Sequence, residues 1–229
     1  MQYNTTYKYL QSIMTASSNE IMGSLIYRTS QALNKNKKFI DAIKEYHFWP
    51  TIVNNGKFNL WHFPGTQQEI SQVFKSLGNN SIHGSKLKYP AILSFQGIYE
   101  EHEFTPGITL KRYNLAIVAP VSSEWTTQKR EEQVYKLVLR PIEEELIRQI
   151  ESSKYFHTPI GRFPYVSAYI PTTGNALNSV MKVQYGDFID AIEFPNFTLK
   201  AMNNICTAMS NKIIEESIKV TDEIKNLIR

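Results

Sequence analysis

The stretch from Ser123 to Glu151, SEWTTQKREEQVYKLVLRPIEEELIRQIE, constrains this chain more than any other. Val134, Val138, Ile142, Leu146 and Ile150 recur every four residues, and Leu137, Leu139 and Ile147 widen that stripe. Such spacing predicts a helix with one apolar face that another layer must cover. Thr126 or Thr127 can cap its start, and Glu131 and Glu132 suit the positive end of the helix dipole. Pro141 stands inside the pattern and has no amide hydrogen, so the helix must bend near Leu137–Pro141 or restart there. The opposite face carries Lys129, Arg130, Lys136, Arg140, Glu143, Glu144, Arg148 and Glu151. A face of this kind is either solvated or part of a subunit contact. The interface candidates it offers are Arg130, Lys136, Arg140, Glu143, Glu144 and Arg148.

The flanking segments supply the cover. Ile21, Leu25, Ile26, Thr29 and Leu33 follow helical spacing, with Ser18 or Asn19 as cap. A second helix places Phe39, Ile40, Ile43 and Tyr46 inward, and Pro50 is expected to end it. GKFNLWHFP reads as a short strand. The helix after it has Thr66 and Glu69 at capping-box spacing, Gly78 near its end, and Ile70, Val73, Phe74 and Leu77 as its buried face. AILSFQGIYEEHEF and ITLKRYNLAIVAPV are strands joined by a turn at Thr105–Gly107, and they are expected to pair antiparallel. Tyr113–Val118 is almost continuously apolar, which predicts cover on both faces. YVSAYIP is a further strand, and 172–187 a polar loop with a possible hairpin. FIDAIEFPNFTLKAMN reads as two apolar segments interrupted by Pro195, which suits a sheet edge or a bulge. Residues 1–17 read as a polar arm, and Ile213, Ile214, Ile218, Ile224, Leu227 and Ile228 suit a C-terminal helix.

Composition narrows the class. With 229 residues, 42% apolar and 20% charged, the chain can bury one sizeable core. Its formal charge of +4 is mild, and its basic residues are spread out; the densest run is Lys35, Lys37 and Lys38. That argues against nucleic-acid binding as the main role. One cysteine, Cys206, allows no internal disulfide and fits a reducing compartment. The opening residues carry no signal-peptide pattern, and no window approaches the length of a membrane span.

Motifs for chemistry are weak. GxxxxGK[ST], GxGxxG and GxSxG do not occur. The histidines, His47, His62, His83, His102 and His157, show no paired metal-ligand spacing. Glu100–Glu103 (EEHE) offers a carboxylate–imidazole pair, and Asp187, Asp190 and Glu193 step by three as in some carboxylate metal sites. An exposed strand end near a turn accounts better for the first run, and turn and surface residues beside a strand account better for the second. The enzymatic alternative is a metal-dependent nuclease built on Glu101, Glu103, Asp187 and Asp190. The binding alternative is a nucleic-acid module using Lys35–Lys38 and nearby aromatics.

Three segments in order carry a resemblance: KYPAILSFQGIYEE, then YNLAIVAPVSSEWTTQKREEQVYKLVLRPIEEELIRQIESSKYF, then YGDFIDAIEFPNFTLK. Together, over Lys88–Lys200, they resemble the tail-completion or tail-terminator-like neck proteins of bacteriophages, including crAss-like phages of Bacteroidetes. The resemblance implies an α/β (α+β) fold, a mostly antiparallel sheet flanked by helices. It implies a structural ring protein of the head–tail connector, without catalytic residues, cofactor or metal, located in the virion neck after assembly in the bacterial cytoplasm. Six or twelve copies are the expected ring sizes. The expected partners are other neck, portal or tail proteins, with viral DNA passing through the lumen unrecognised. The implied division is a helical extension over 1–57, the core over 58–204 and a C-terminal extension over 205–229.

Overall fold

The computed structural model describes residues 17–54, 56–79, 87–102, 108–153, 155–156, 168–170, 187–202 and 211–219. The expected N-terminal arm, the turn at Thr105–Gly107, most of the polar loop over 172–187, and Cys206 lie outside them.

Strand β5 (Ile108–Pro120) sets the architecture. Its side chains alternate between two apolar clusters: Leu115, Ile117 and Ala119 belong to one, Ala116 and Val118 to the other. Helices therefore cover the sheet on both faces. The strand order is β3 (Trp61–Gly65), β4 (Ala91–His102), β5, β7 (Ile189–Met202), β6 (Ala168–Ile170). β4–β5, β5–β7 and β6–β7 pair antiparallel, whereas β3 runs parallel to β4 from Trp61↔Ala91. The fold is α+β, a mixed and mostly antiparallel sheet with flanking helices.

On the first face lie α1 (Ser18–Lys35), α2 (Lys37–Ile43), the long helix, and the helix 211–219. Ser17, one residue before the expected caps, starts α1: its Oγ accepts from the Glu20 amide at 3.2 Å, and its own amide donates to Glu20 Oε2 at 2.6 Å. Asn36 closes α1 and caps α2 through its side chain, which accepts from the Phe39 amide. Pro50 does not end α2, which stops at Ile43. It sits in the first turn of the separate helix α3 (Trp49–Ile52), where an amide hydrogen has no intrahelical acceptor anyway. Between α3 and β3 lies a hairpin, β1 (Val53–Asn54) and β2 (Lys57–Phe58), whose Gly56 takes a φ of 75°.

The second face is covered by α4 (Gln67–Asn79). Its capping box forms as expected, with the Thr66 amide 2.7 Å from Glu69 Oε2 and the Glu69 amide 3.2 Å from Thr66 Oγ1. Ile70, Phe74 and Leu77 are buried against Trp61, Phe63 and Tyr89. Val73, expected among them, is 42% exposed, because a helix on a flat sheet buries only a narrow i, i+4, i+7 stripe.

The long helix is continuous through Pro141 but changes type on the way. Thr126 caps α5 (Thr127–Arg130), a π-helical segment Glu131–Leu139 follows, and α6 (Arg140–Ser152) resumes. The Arg140 amide donates to the Tyr135 carbonyl, five residues back. Pro141 cannot donate to Leu137 and its ring crowds that carbonyl; the wider turn absorbs both defects while the apolar face continues. Val134, Val138, Ile142, Leu146 and Ile150 are all fully buried.

One correction concerns the strands. Ile189–Met202 is one continuous strand where two segments are expected, and Pro195 sits at a bulge, one of the two settings its sequence suits. Phe194 opposes Leu115 and Phe197 opposes Tyr113, so Pro195 and Asn196 face the single residue Asn114, a bulge that tolerates a residue without an amide hydrogen. β4 also shifts register here, between Phe95 and Tyr99. The strand Ile108–Pro120 offers no free edge to a neighbouring subunit. β5 is the central strand, with its backbone bonded on both sides.

The expected boundaries after residues 57 and 204 do not divide the core. Ile21, Leu25 and Ile213 belong to the same apolar cluster as Ile117 and Ile192. His62 lies in this layer. Its Nε2 is 2.9 Å from Ser94 Oγ, and a Cβ added to Gly23 of α1 would meet its Nδ1 at 3.3 Å. Burial lowers its pKa to about 4. The unfolded chain protonates His62 near pH 6.5 and the folded chain only near 4. Stability should therefore fall as pH drops through that window, by up to ~3 kcal/mol from this group. Urea midpoints at pH 7, 5 and 4 should drop less for His62→Gln than for the parent chain.

Candidate functional site

Two charges expected on the outer face of the long helix are spent inside. Arg130 is 1% exposed. Its Nη1 donates to Asp190 Oδ1 at 2.8 Å, its Nε to the Trp125 carbonyl at 3.2 Å, and its Nη2 to the Ser122 carbonyl at 3.3 Å. Asp190 is fully buried on the same face of β7 as Ile192 and Phe194, which turns it toward the long helix. A carboxylate in that position requires a cationic partner, and Arg130 supplies it. The Tyr46 hydroxyl donates to the Pro120 carbonyl, and burial with the nearby Asp190 charge holds this phenol well above its ordinary pKa. Arg130 is thus not a surface contact but the tie between the start of the helix, β7 and the loop after β5. Glu143 is also buried, at 5% exposure. It lies three and four residues before Leu146 and Ile147 and so shares their inward face.

The other four candidates form one row. Lys136, Glu144 and Arg148 are exposed and Arg140 is half-exposed, at steps of four; exposed Gln128 and Glu132 continue the row upstream. From Glu132 to Arg148 it extends over about 20 Å. Its charges run negative, positive, positive, negative, positive. Flanking carboxylates fix two of its cations: Arg140 Nη2 lies 2.7 Å from Glu131 Oε1, and Arg148 makes a two-point contact with Glu145 at 2.8 and 2.5 Å. At the head of the helix Trp125 packs edge-on with His47 and tilted against Phe48, and Lys129 lies 5.4 Å from its ring centre. The His47 amide donates to Gln133 Oε1 at 3.1 Å.

The candidate acids separate. Asp187 Oδ2 accepts from buried Lys88 at 2.8 Å and from the Tyr89 hydroxyl at 3.2 Å, whereas Asp190 is held by Arg130. Glu101 lies on β4 opposite Leu110, and Glu103 lies outside the described residues. Glu193 is half-buried beside Ala168, and burial raises its pKa. Among the described residues, no three His, Cys, Asp or Glu side chains are placed to hold a metal ion, and no helix is long and apolar enough to cross a membrane.

A further polar cluster escaped the sequence. Glu216 Oε2 accepts from Ser24 Oγ at 2.5 Å and from Arg28 Nε at 2.8 Å, and Arg28 also donates to the Tyr155 hydroxyl. It fastens the helix 211–219 to α1 across 188 residues of sequence, beyond any local signal.

Comparison with family models, curated proteins and solved structures gives no match.

Breaking the Arg130–Asp190 pair from one side should destabilise the fold by about 3–5 kcal/mol, because the remaining charge stays buried. Urea unfolding of Arg130→Met should show this loss, and adding Asp190→Leu should recover most of it. If Arg130→Met alone costs under 1 kcal/mol, the pair does not hold the helix.

Proposed function

We propose that this chain is a structural subunit that assembles with copies of itself into a ring in a phage neck, joining portal to tail and leaving a lumen for DNA. The observation that carries the reading is the exposed row Lys136, Arg140, Glu144 and Arg148 on a helix whose other face is locked into the core. A ring subunit must stay soluble alone and still present a rigid, directional surface to its neighbour. Mixed charges on a fixed helix meet both demands. They keep the monomer hydrated, and they favour one register between neighbours by opposing like charges in the others. The resemblance over Lys88–Lys200 gives the same direction. The enzymatic alternative needs Asp187 and Asp190 at a common centre, and each instead neutralises its own cation.

The test is assembly. The full chain should form a closed homo-oligomer in native mass spectrometry, six or twelve copies, alone or with neighbouring neck proteins. Replacing Lys136, Arg140 and Arg148 with Gln, and Glu144 with Gln, should weaken assembly at least tenfold. The monomer should keep its melting temperature within a few degrees, since exposed charges contribute about 0–1 kcal/mol each. A chain that remains monomeric with those partners present sinks the proposal.

A further inference from the structure

A second charged surface lies away from the row, at the corner where α1 turns into α2. Four lysines meet there: Lys35 at the end of α1, Lys37 and Lys38 at the start of α2, and Lys57 on β2. All four are exposed. Sequence alone groups only the first three. Lys57 joins them because Asn34 clasps the hairpin: its Nδ2 donates to the Phe58 carbonyl at 2.8 Å, and its Oδ1 accepts from the Phe58 amide at 3.0 Å. The Phe58 and Phe39 rings then pack edge-on with centres 5.0 Å apart. Each lysine is the chain neighbour of a residue in this knot: Asn34, Asn36, Phe39 or Phe58. Their backbones are thereby held together while their ammonium groups stay in water.

Among the described residues these charges are not neutralised. Arg28, Lys44, Lys88, Arg130, Arg140 and Arg148 all form ion pairs; none of the four corner lysines does so among the described residues. Asp41, the nearest carboxylate along α2, is engaged by Lys44 at 2.9 Å, and exposed Glu45 follows it.

We infer that this corner binds the phosphate backbone of duplex DNA without reading sequence. Lysines are compact, hydrated point charges on flexible stems, which suits phosphates; protein–protein interfaces are depleted in lysine. The two aromatic rings of the corner are buried against each other, so none is free to stack on unpaired bases. That favours duplex over single strand, and backbone over base contacts. The inference is independent of ring assembly, since it concerns one corner of one subunit.

The test measures fluorescence anisotropy of the full chain with a random-sequence duplex. Binding at about 50 mM salt should weaken about a hundredfold by about 200 mM, as expected for roughly four phosphate contacts. Replacing Lys35, Lys37, Lys38 and Lys57 with Gln should cost tenfold or more in affinity and flatten the salt dependence, with the circular dichroism spectrum unchanged. The same change at Lys136, Arg140 and Arg148 should leave DNA affinity within a factor of three. No binding at low salt, or equal loss from both sets, overturns the inference. So does tighter binding to poly-glutamate than to duplex of equal charge, which would assign the corner to an acidic protein.

Discussion

The fold depends on covering β5 twice. A strand whose Leu115–Ala119 run is apolar on both pleats cannot leave either face in water, and its backbone must be bonded at both edges. Those two demands place it at the centre of the sheet and force a layer of helix onto each side. The layers are unequal. Among the described residues, α4 is the helix that covers the side of Ala116 and Val118, while α1, α2, the long helix and 211–219 cover the side of Ile117. The larger layer therefore draws on both ends of the described chain, and the core runs through them.

The long helix fits that layer because of how it accommodates Pro141. A sharp kink would have lifted either Val134 and Val138 or Leu146 and Ile150 off the sheet. With the π-helical turns all of them stay buried, and the charged row lies on the opposite face. The Arg130–Asp190 pair anchors the head of this helix, so the row is carried on a body with little freedom to reorient. The corner lysines show the same design at smaller scale: buried Phe39 and Phe58 hold the positions from which exposed charges project.

Much of this was legible along the chain. The four-residue stripe from Val134 to Ile150, the Thr66–Glu69 capping box and the antiparallel pairing of β4 with β5 follow from local spacing, and the structure has all three. So does the burial of Tyr113–Val118 on both faces. The hairpin at Gly56 carried the strong Asn55–Gly56 signal, which a reading of GKFNLWHFP as one strand passed over. Pro50 and Val73 went astray for local reasons: a proline begins a helical turn as readily as it ends one, and a helix on a flat sheet buries less than half its circumference. The parallel pairing of β3 with β4 had no local sign, because it is made across an intervening helix.

The sequence by itself determined most of the longer helices and strands, where several begin, and that the long helix presents one apolar and one polar face, because these follow from bonds and spacings within a few residues. Only the tertiary structure decided which charges on that polar face remain outside. Arg130 and Glu143 look like Lys136 and Glu144 in the chain, yet the first is drawn inward by Asp190, sixty residues away, and the second lies on the flank the sheet layer covers. Arg130 is stable in the core because an opposite charge arrives from elsewhere in the fold, and that arrival is set by the packing of whole layers, not by neighbours in sequence.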